Sequence, residues 1–252
     1  MLFWKKRESV VVTCFTTRYA LPELLPPIIR LAKVVPEWWK KQSSNVDLSK
    51  IKDKQHWFRP SAMNHSIKHC YALQKLFEKS YGIQLWNDMA VGVRPDGAIT
   101  GVAPSNQVAG DHHPVEQYEG MISSDWMNYK FVSPWLIYTN RFVPFYISDP
   151  FYHIQNHEWI TMPGYTEFYH QHHSNINAMF RKPAGTSGLE YKFEAGDIIA
   201  YLTPLEDVSI EVKCETIDEK DYQKLEFGQK IWFSAATVAR KKNIGGCPIH
   251  RS

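Results

Sequence analysis

The chain is predicted to be mainly β with a few helices, built as a double-stranded β-helix or jelly-roll-like barrel with an N-terminal arm and a C-terminal helix. Three observations predict it. Short aromatic and β-branched runs recur at regular spacing through the second half. Ser133-Pro134-Trp135, Pro163-Gly164, the stretch from His170 to Asn177, and Gly196-Asp197 punctuate those runs. Aromatic residues make up 14% of the chain, with 9 Trp and 13 Tyr, and such side chains suit sheets and interfaces.

The elements follow in order. Ser9 to Thr17 is rich in β-branched residues and reads as a strand. Leu21 to Val35 carries Pro22, Pro26 and Pro27, which favour an extended, wrapping path over a helix. Pro36-Glu37-Trp38-Trp39-Lys40-Lys41 follows, and its adjacent tryptophans cannot both face one core; they are expected to anchor the arm or to make a subunit contact.

Asn64 to Tyr81 is the clearest helix. Asn64 suits its cap, Ile67, Cys70, Leu73, Leu76 and Phe77 recur at helical spacing, and Gly82 suits the left-handed residue beyond its end. The period then changes to two in Ile83, Leu85, Met89, Val91 and Val93, and Pro95-Asp96-Gly97 supplies a hairpin turn. Further strands are expected at 99–102, 129–138, 143–147, 158–162, 178–181, 191–193, 198–202 and 208–212. Charge-rich Asp218 to Glu226 reads as a helix with Tyr222 and Leu225 on its buried side. A tail with Arg240, Lys241 and Lys242 closes the chain. These elements divide into an arm over 1–60, a β-barrel or sandwich over 61–214 that includes helix 64–81, and a C-terminal helix and basic tail over 215–252.

A formal charge of +3 on 252 residues is too small a bias to point to nucleic acid. Cys14, Cys70, Cys214 and Cys247 lie far apart without a C-x-x-C pair, so neither a zinc ribbon nor a disulfide framework is expected, and reduced thiols are. Val10 to Val12 is too short for a signal-peptide core, and no run approaches the roughly 20 apolar residues of a spanning helix. The expectation is a protein with no signal peptide and no membrane contact.

His170 and His172 lie two apart, so on a strand they would share one face and supply half of a non-haem metal site; ordinary strand or turn histidines are the competing reading. Gly164, His170, His172, Asn177 and Gly185 resemble the first metal motif of cupins, with Ile176 and Asn177 standing where a carboxylate is expected. A third ligand would come from Glu167, His153, His157, His112 or His113, and Asp88, Asp111 and Glu116 are candidate acids or bases. Gly196-Asp197 also resembles the end of the nucleotide-pocket fold of dUTPases. There is no Gly-rich phosphate loop and no G-x-S-x-G nucleophile elbow.

Three longer blocks, Lys130 to Trp135, Pro163-Gly164-Tyr165-Thr166-Glu167 through Asn175 to Phe180, and Phe193 to Asp197 with Leu202-Thr203-Pro204, resemble in order and spacing an uncharacterised family of marine tailed phages and some bacteria. Cys70, Gly82 to Trp86, Asp88 and Pro36 to Lys41 are similar too. The resemblance implies a phage protein in the host cytoplasm or the virion, and no activity.

The leading expectation is therefore an oligomeric structural or interaction component without cofactor. Its partners would be copies of itself or other phage proteins, and Trp38, Trp39 and Trp135 its interface residues. Two alternatives stand beside it. One is a cupin-like iron or manganese oxygenase using His170 and His172. The other is a small-molecule or sugar binding module that stacks its ligand on Trp135, Tyr138 and Trp159.

Overall fold

Alternating burial along residues 8–17 explains the first element, because every second side chain from Val10 to Thr16 is withdrawn from solvent while its neighbours are less so. The structure, a computed structural model, describes residues 8–17, 25–47, 65–103, 110–154, 157–169, 173 and 175–227. Over these it is mainly β.

The strands in chain order are β1 (Glu8–Thr17), β2 (Ile28–Arg30), β3 (Tyr81–Gln84), β4 (Met89–Val93), β5 (Ile99–Val102), β6 (Gly110–Asp111), β7 (Trp126–Phe131) and β8 (Leu136–Thr139). They continue with β9 (Pro144–Ser148), β10 (Trp159–Thr161), β11 (Gly164–Glu167), β12 (Ile176–Arg181), β13 (Leu189–Phe193), β14 (Ile198–Pro204) and β15 (Val208–Ile217). The α-helices are α1 (Glu37–Lys41), α2 (Tyr71–Lys79) and α3 over 219–227.

Four sheets result: β15-β1-β8, β10-β12-β7-β6, β11-β9-β14-β3-β2 and β13-β4-β5. Among the described residues none of them closes into a barrel. All four contribute to one core, through Val12 and Ile137, Phe131 and Phe180, Ile83 and Phe145, and Val91 and Phe193. Trp159, Phe180 and Phe193 lie with ring centroids 5.4–6.1 Å apart, the range in which aromatic pairs are favourable.

The N-terminal strand is no loose arm. β1 runs parallel to β15 in register from Glu8↔Val208 to Thr17↔Ile217 and antiparallel to β8, so it is the central strand of its sheet. That sheet contains residues from each of the three expected segments. α1 also packs in cis, with Trp39 edge-on to Phe77 of α2 at 5.1 Å. Together with Leu31, Leu73 and Tyr201 they form a second, smaller core against one face of β14.

Several expected elements are redrawn. The helix expected over 64–81 is a 3₁₀ turn (Ile67–His69), capped by the Ser66 hydroxyl, followed by α2. Cys70 between them is extended at ψ 108°, which interrupts the helix; Asn64 lies outside the described residues. Gly82 does not end the helix either. It sits buried in β3, where a Cβ would come within 2.8 Å of Ile198 Cδ1 and 3.1 Å of Leu31 Cδ2, so it is the close approach of packing that needs glycine.

The strand expected over 129–138 is two strands in different sheets, because Ser133 and Pro134 break it and Pro134 has no N–H to extend a ladder. By contrast, β4, the Arg94–Ala98 turn and β5 appear as expected, with Gly97 at φ +86° and Asp96 Oδ1 accepting from the Ala98 N–H at 3.0 Å. β2, β6 and β11 are additions to the expected strands. α3 matches its expectation, with Tyr222 and Leu225 half-buried and the Tyr222 hydroxyl donating to the Pro134 carbonyl at 3.3 Å.

Candidate functional site

Among the cavities that border the five-stranded sheet, one of about 530 Å³ is lined by His153, Glu158, Trp159, Lys192 and Asp197 among others, and one of about 390 Å³ by Arg30, Lys79, Glu206 and Asp207 among others. His153 follows β9 in a turn where its N–H donates to the Pro150 carbonyl at 2.8 Å. Its Nε2 lies 2.8 Å from the Val34 carbonyl, which can only accept, so Nε2 carries the proton of the neutral ring. Nδ1 then accepts from the Tyr201 hydroxyl at 2.7 Å, and that hydroxyl in turn accepts from the Tyr152 N–H at 3.2 Å.

Burial holds His153 below the usual histidine range, against the opposing pull of the Val34 hydrogen bond. Burial likewise pushes Tyr201 far up, with the nearby Asp149 charge adding to it. Asp149 is raised by burial, against the hydrogen bond that its carboxylate accepts from the Thr161 N–H at 2.7 Å. With both ring nitrogens committed, His153 has no lone pair left for a substrate. It is a strut between the Val34 segment and β14.

The Gly196-Asp197 step builds the floor of this cavity as a turn. Gly196 stands at φ +96°, Asp197 Oδ2 accepts from the Glu194 N–H at 2.9 Å, and Asp88 Oδ1 accepts from the Ala195 N–H at 2.9 Å. Asp88 and Asp197 are thus engaged in holding backbone.

A smaller cavity, about 230 Å³, lies where β11 meets the start of β12. Ile83, Ile147 and Phe168 give it apolar walls; Tyr165, Asn175 and Asn177 give it polar groups. The Asn175 and Asn177 carboxamide oxygens are out of reach of solvent, and neither finds a donor among the described residues. Two positions apart in sequence, they project from the same side of the chain as it enters β12. Buried acceptors without donors are rare in folded proteins and cost about 1–3 kcal/mol each unless water or a ligand supplies the donor. Tyr165 packs against Tyr146 with the rings tilted and 5.3 Å apart, and it is 75% exposed, placing an open aromatic ring beside the cavity.

Of the residues singled out by sequence, Gly164, His173 and Asn177 line this cavity, and Glu167 lies on the adjoining end of β11, where its Oε2 accepts from the Tyr169 N–H at 2.7 Å. His170 and His172, the expected metal ligands, lie outside the described residues, as does Cys247. Among the described residues no group of three or more His, Cys, Asp or Glu side chains is placed to hold a metal. The remaining candidates do not converge. His153 is in the first cavity, and His157 is on the surface, stacked on Phe151 at 4.5 Å. His112, Asp111 and Glu116 are exposed near β6, where the His113 N–H donates to Asn128 Oδ1 at 3.1 Å.

Two aromatic expectations are corrected. Trp135 is 4% exposed within the main core and cannot reach another subunit from there, and Trp159 is buried too, so Trp135, Tyr138 and Trp159 form no open stacking platform. Tyr138 packs edge-on to Phe15 at 5.6 Å, and burial raises its hydroxyl to about pKa 12. The other interface candidates divide. Trp39 is half-buried against Phe77, whereas Trp38 keeps 39% exposure while its indole N–H donates to the Tyr152 carbonyl at 2.8 Å. Sequence reasoning missed Asn175 and the Tyr201–His153 contact; Asn175 follows the polar stretch 170–174 in sequence, so no local pattern sets it apart.

No protein-family model matches the chain, and the comparisons found no similar curated protein and no similar solved structure. Among the described residues no helix is long and apolar enough to cross a membrane.

Proposed function

We propose that the chain is a binding protein for a small neutral guest carrying several hydrogen-bond donors, such as a monosaccharide-sized polyol, held in the cavity between β11 and β12. The observation that carries this reading is the pair of Asn175 and Asn177 carboxamides on the cavity wall, whose buried oxygens have no donor among the described residues and would turn to the guest by side-chain rotation. No Asp, Glu, Lys or Arg is among the described residues lining the cavity, which favours a neutral guest over an ion. Its volume lies below the roughly 300–1,000 Å³ of drug-sized sites, which sets the size class. Apolar walls beside Tyr165 suit the C–H faces of such a guest.

The test is calorimetric titration of the protein with a panel of neutral hexoses and pentoses. Saturable binding that is lost in Asn177→Ala, with the fold retained, supports the reading. Absence of binding across the panel, or binding unchanged in Asn177→Ala, overturns it.

A jelly-roll-like arrangement of the four sheets around their shared core belongs to the same proposal, as does a phage source with a place in the host cytoplasm or virion, which rests on the sequence blocks. A second reading, assembly of copies of this chain, is favoured by one observation. Trp38 and Phe151, both exposed, flank Tyr152 at ring distances of 6.2 and 5.2 Å, and His157 extends the cluster. Sedimentation of wild type and Phe151→Ala tests it: a wild-type oligomer that dissociates in the variant supports assembly through this patch, and a monomeric wild type rejects it.

A further inference from the structure

We propose that Cys14 and Cys214 are a reversible disulfide site that joins the central strand β1 to its parallel neighbour β15. The two residues are direct register partners, so their side chains leave the same face of the sheet. Adjacent strands lie about 4.7–4.9 Å apart, inside the roughly 4.4–6.8 Å between Cα atoms that a disulfide spans. The partners differ in access: Cys14 is fully buried beneath the sheet, whereas Cys214 is exposed on an edge strand. This asymmetry separates an attacking thiol from a resolving one. The hydrogen bond between the thiols reinforces it, lowering the pKa of Cys214, while the same contact and burial raise that of Cys14.

The oxidant is a low-molecular-weight disulfide such as oxidised glutathione. The Cys214 thiolate attacks one of its sulfurs, forming a mixed disulfide and releasing one glutathione thiolate. The Cys14 sulfur, giving up its proton, then attacks the Cys214 sulfur and expels the second glutathione. Two protein thiols become one disulfide, one small disulfide becomes two thiols, and the protons pass to the departing glutathione sulfurs.

The bond would close the chain across 14–214 and fix β15, with α3 directly after it, against the N-terminal strand. β15 packs into the core at Val208, Ile210 and Val212, but its second half from Lys213 to Thr216 is exposed, and closure at Cys214 restricts fraying there and raises the melting temperature. Such a site joins residues two hundred positions apart, which is why cysteine spacing in the sequence does not disclose it.

The experiment treats the full chain with oxidised glutathione, then blocks remaining thiols, measures the intact mass and maps peptides. The expected result is a loss of two hydrogens from the intact protein, a Cys14–Cys214 linked peptide, and a higher melting temperature that dithiothreitol reverses. Cys214→Ser, at an exposed position, should abolish all three. Cys14→Ala should stop the reaction at a glutathione adduct on Cys214. A stable glutathione adduct on Cys214 in the wild-type chain, a linkage mapped to Cys70 or Cys247 instead, or both thiols remaining reduced would overturn the proposal.

Discussion

The His153 ring accepts the Tyr201 hydroxyl at Nδ1, 2.7 Å away, because its other nitrogen is already donating to a backbone carbonyl. The contact ties the turn after β9 to the buried face of β14, and it works only while the ring is neutral. A second proton would put an N–H where Tyr201 now donates.

Stability is therefore expected to fall as the pH is lowered through the histidine range. His153 has a folded pKa below its unfolded value of about 6.5, so beneath that pH the unfolded chain binds the extra proton more readily. The loss begins near pH 6.5 on the way down and levels off below the folded pKa. Asp149, raised by burial, acts lower down and with the opposite sign, since its protonated form is the one the fold favours. Denaturant unfolding of wild type and His153→Gln between neutral pH and pH 5 checks this. The glutamine variant, which keeps a donor for Val34, should show a shallower slope, and equal slopes would refute the assignment.

Tyr129 closes against two glycines, and Gly101 shows how tightly. A Cβ at Gly101 would run into the Tyr129 hydroxyl, which is itself buried and reaches Met89 Sδ at 3.7 Å. Overpacking of this kind costs about 1–3 kcal/mol, so Gly101→Ala should lower stability by that order. Because the hydroxyl is the nearest obstacle, the cost should shrink when the alanine is combined with Tyr129→Phe. A double-mutant cycle by urea unfolding measures the coupling, and additivity would show that the ring rather than the hydroxyl sets the limit.

The legible parts of the fold were those decided locally. The alternation of β1 and β4, the Asp96-Gly97 turn and the Gly196-Asp197 turn each depend on a few adjacent residues. What was not legible was decided by partners remote in sequence. Gly82 reads as a helix stop until Ile198 and Leu31 are seen against it. Trp135 reads as an interface residue until the core closes around it, and β1 reads as part of an arm until β15, about two hundred residues later, pairs with it. The cavity residues were half legible. Gly164 and Asn177 were picked out for a metal motif, but Asn175 was not, because an asparagine beside a strand is ordinary until its oxygen proves to be buried.

The paired tryptophans make unequal contributions despite their adjacency. Trp39 packs edge-on against Phe77 and joins the small core under α2, whereas Trp38 lies on the surface with one hydrogen bond to Tyr152. Trp39→Ala should cost about 2 kcal/mol, less than the roughly 3–5 kcal/mol of a fully buried tryptophan. Trp38→Phe, which removes the indole donor but keeps the ring, should cost no more than about 1 kcal/mol. Guanidinium unfolding of the two variants side by side decides it, and a larger loss for Trp38→Phe would mean that the hydrogen bond rather than the core anchors α1.

Most polar-to-apolar substitutions inside a protein weaken it, but Asn177 should behave otherwise if its cavity exists for a guest. Its buried oxygen has no donor among the described residues, so the folded state already bears that desolvation cost. Replacing it with alanine removes the cost at the loss of a few packed atoms, and Asn177→Ala should leave the unliganded protein equally stable or up to about 1 kcal/mol more stable. Thr161 is the internal control, since its buried hydroxyl is satisfied by the Ile199 carbonyl at 2.5 Å and Thr161→Val should lose about 1 kcal/mol. Thermal unfolding of both variants without ligand reads the contrast. A residue that weakens the empty fold and is nevertheless present fits a binding role, since sites commonly trade stability for affinity. If Asn177→Ala instead destabilises as much as Thr161→Val, its oxygen has a partner in the free protein, and the cavity no longer calls for a donor-bearing guest.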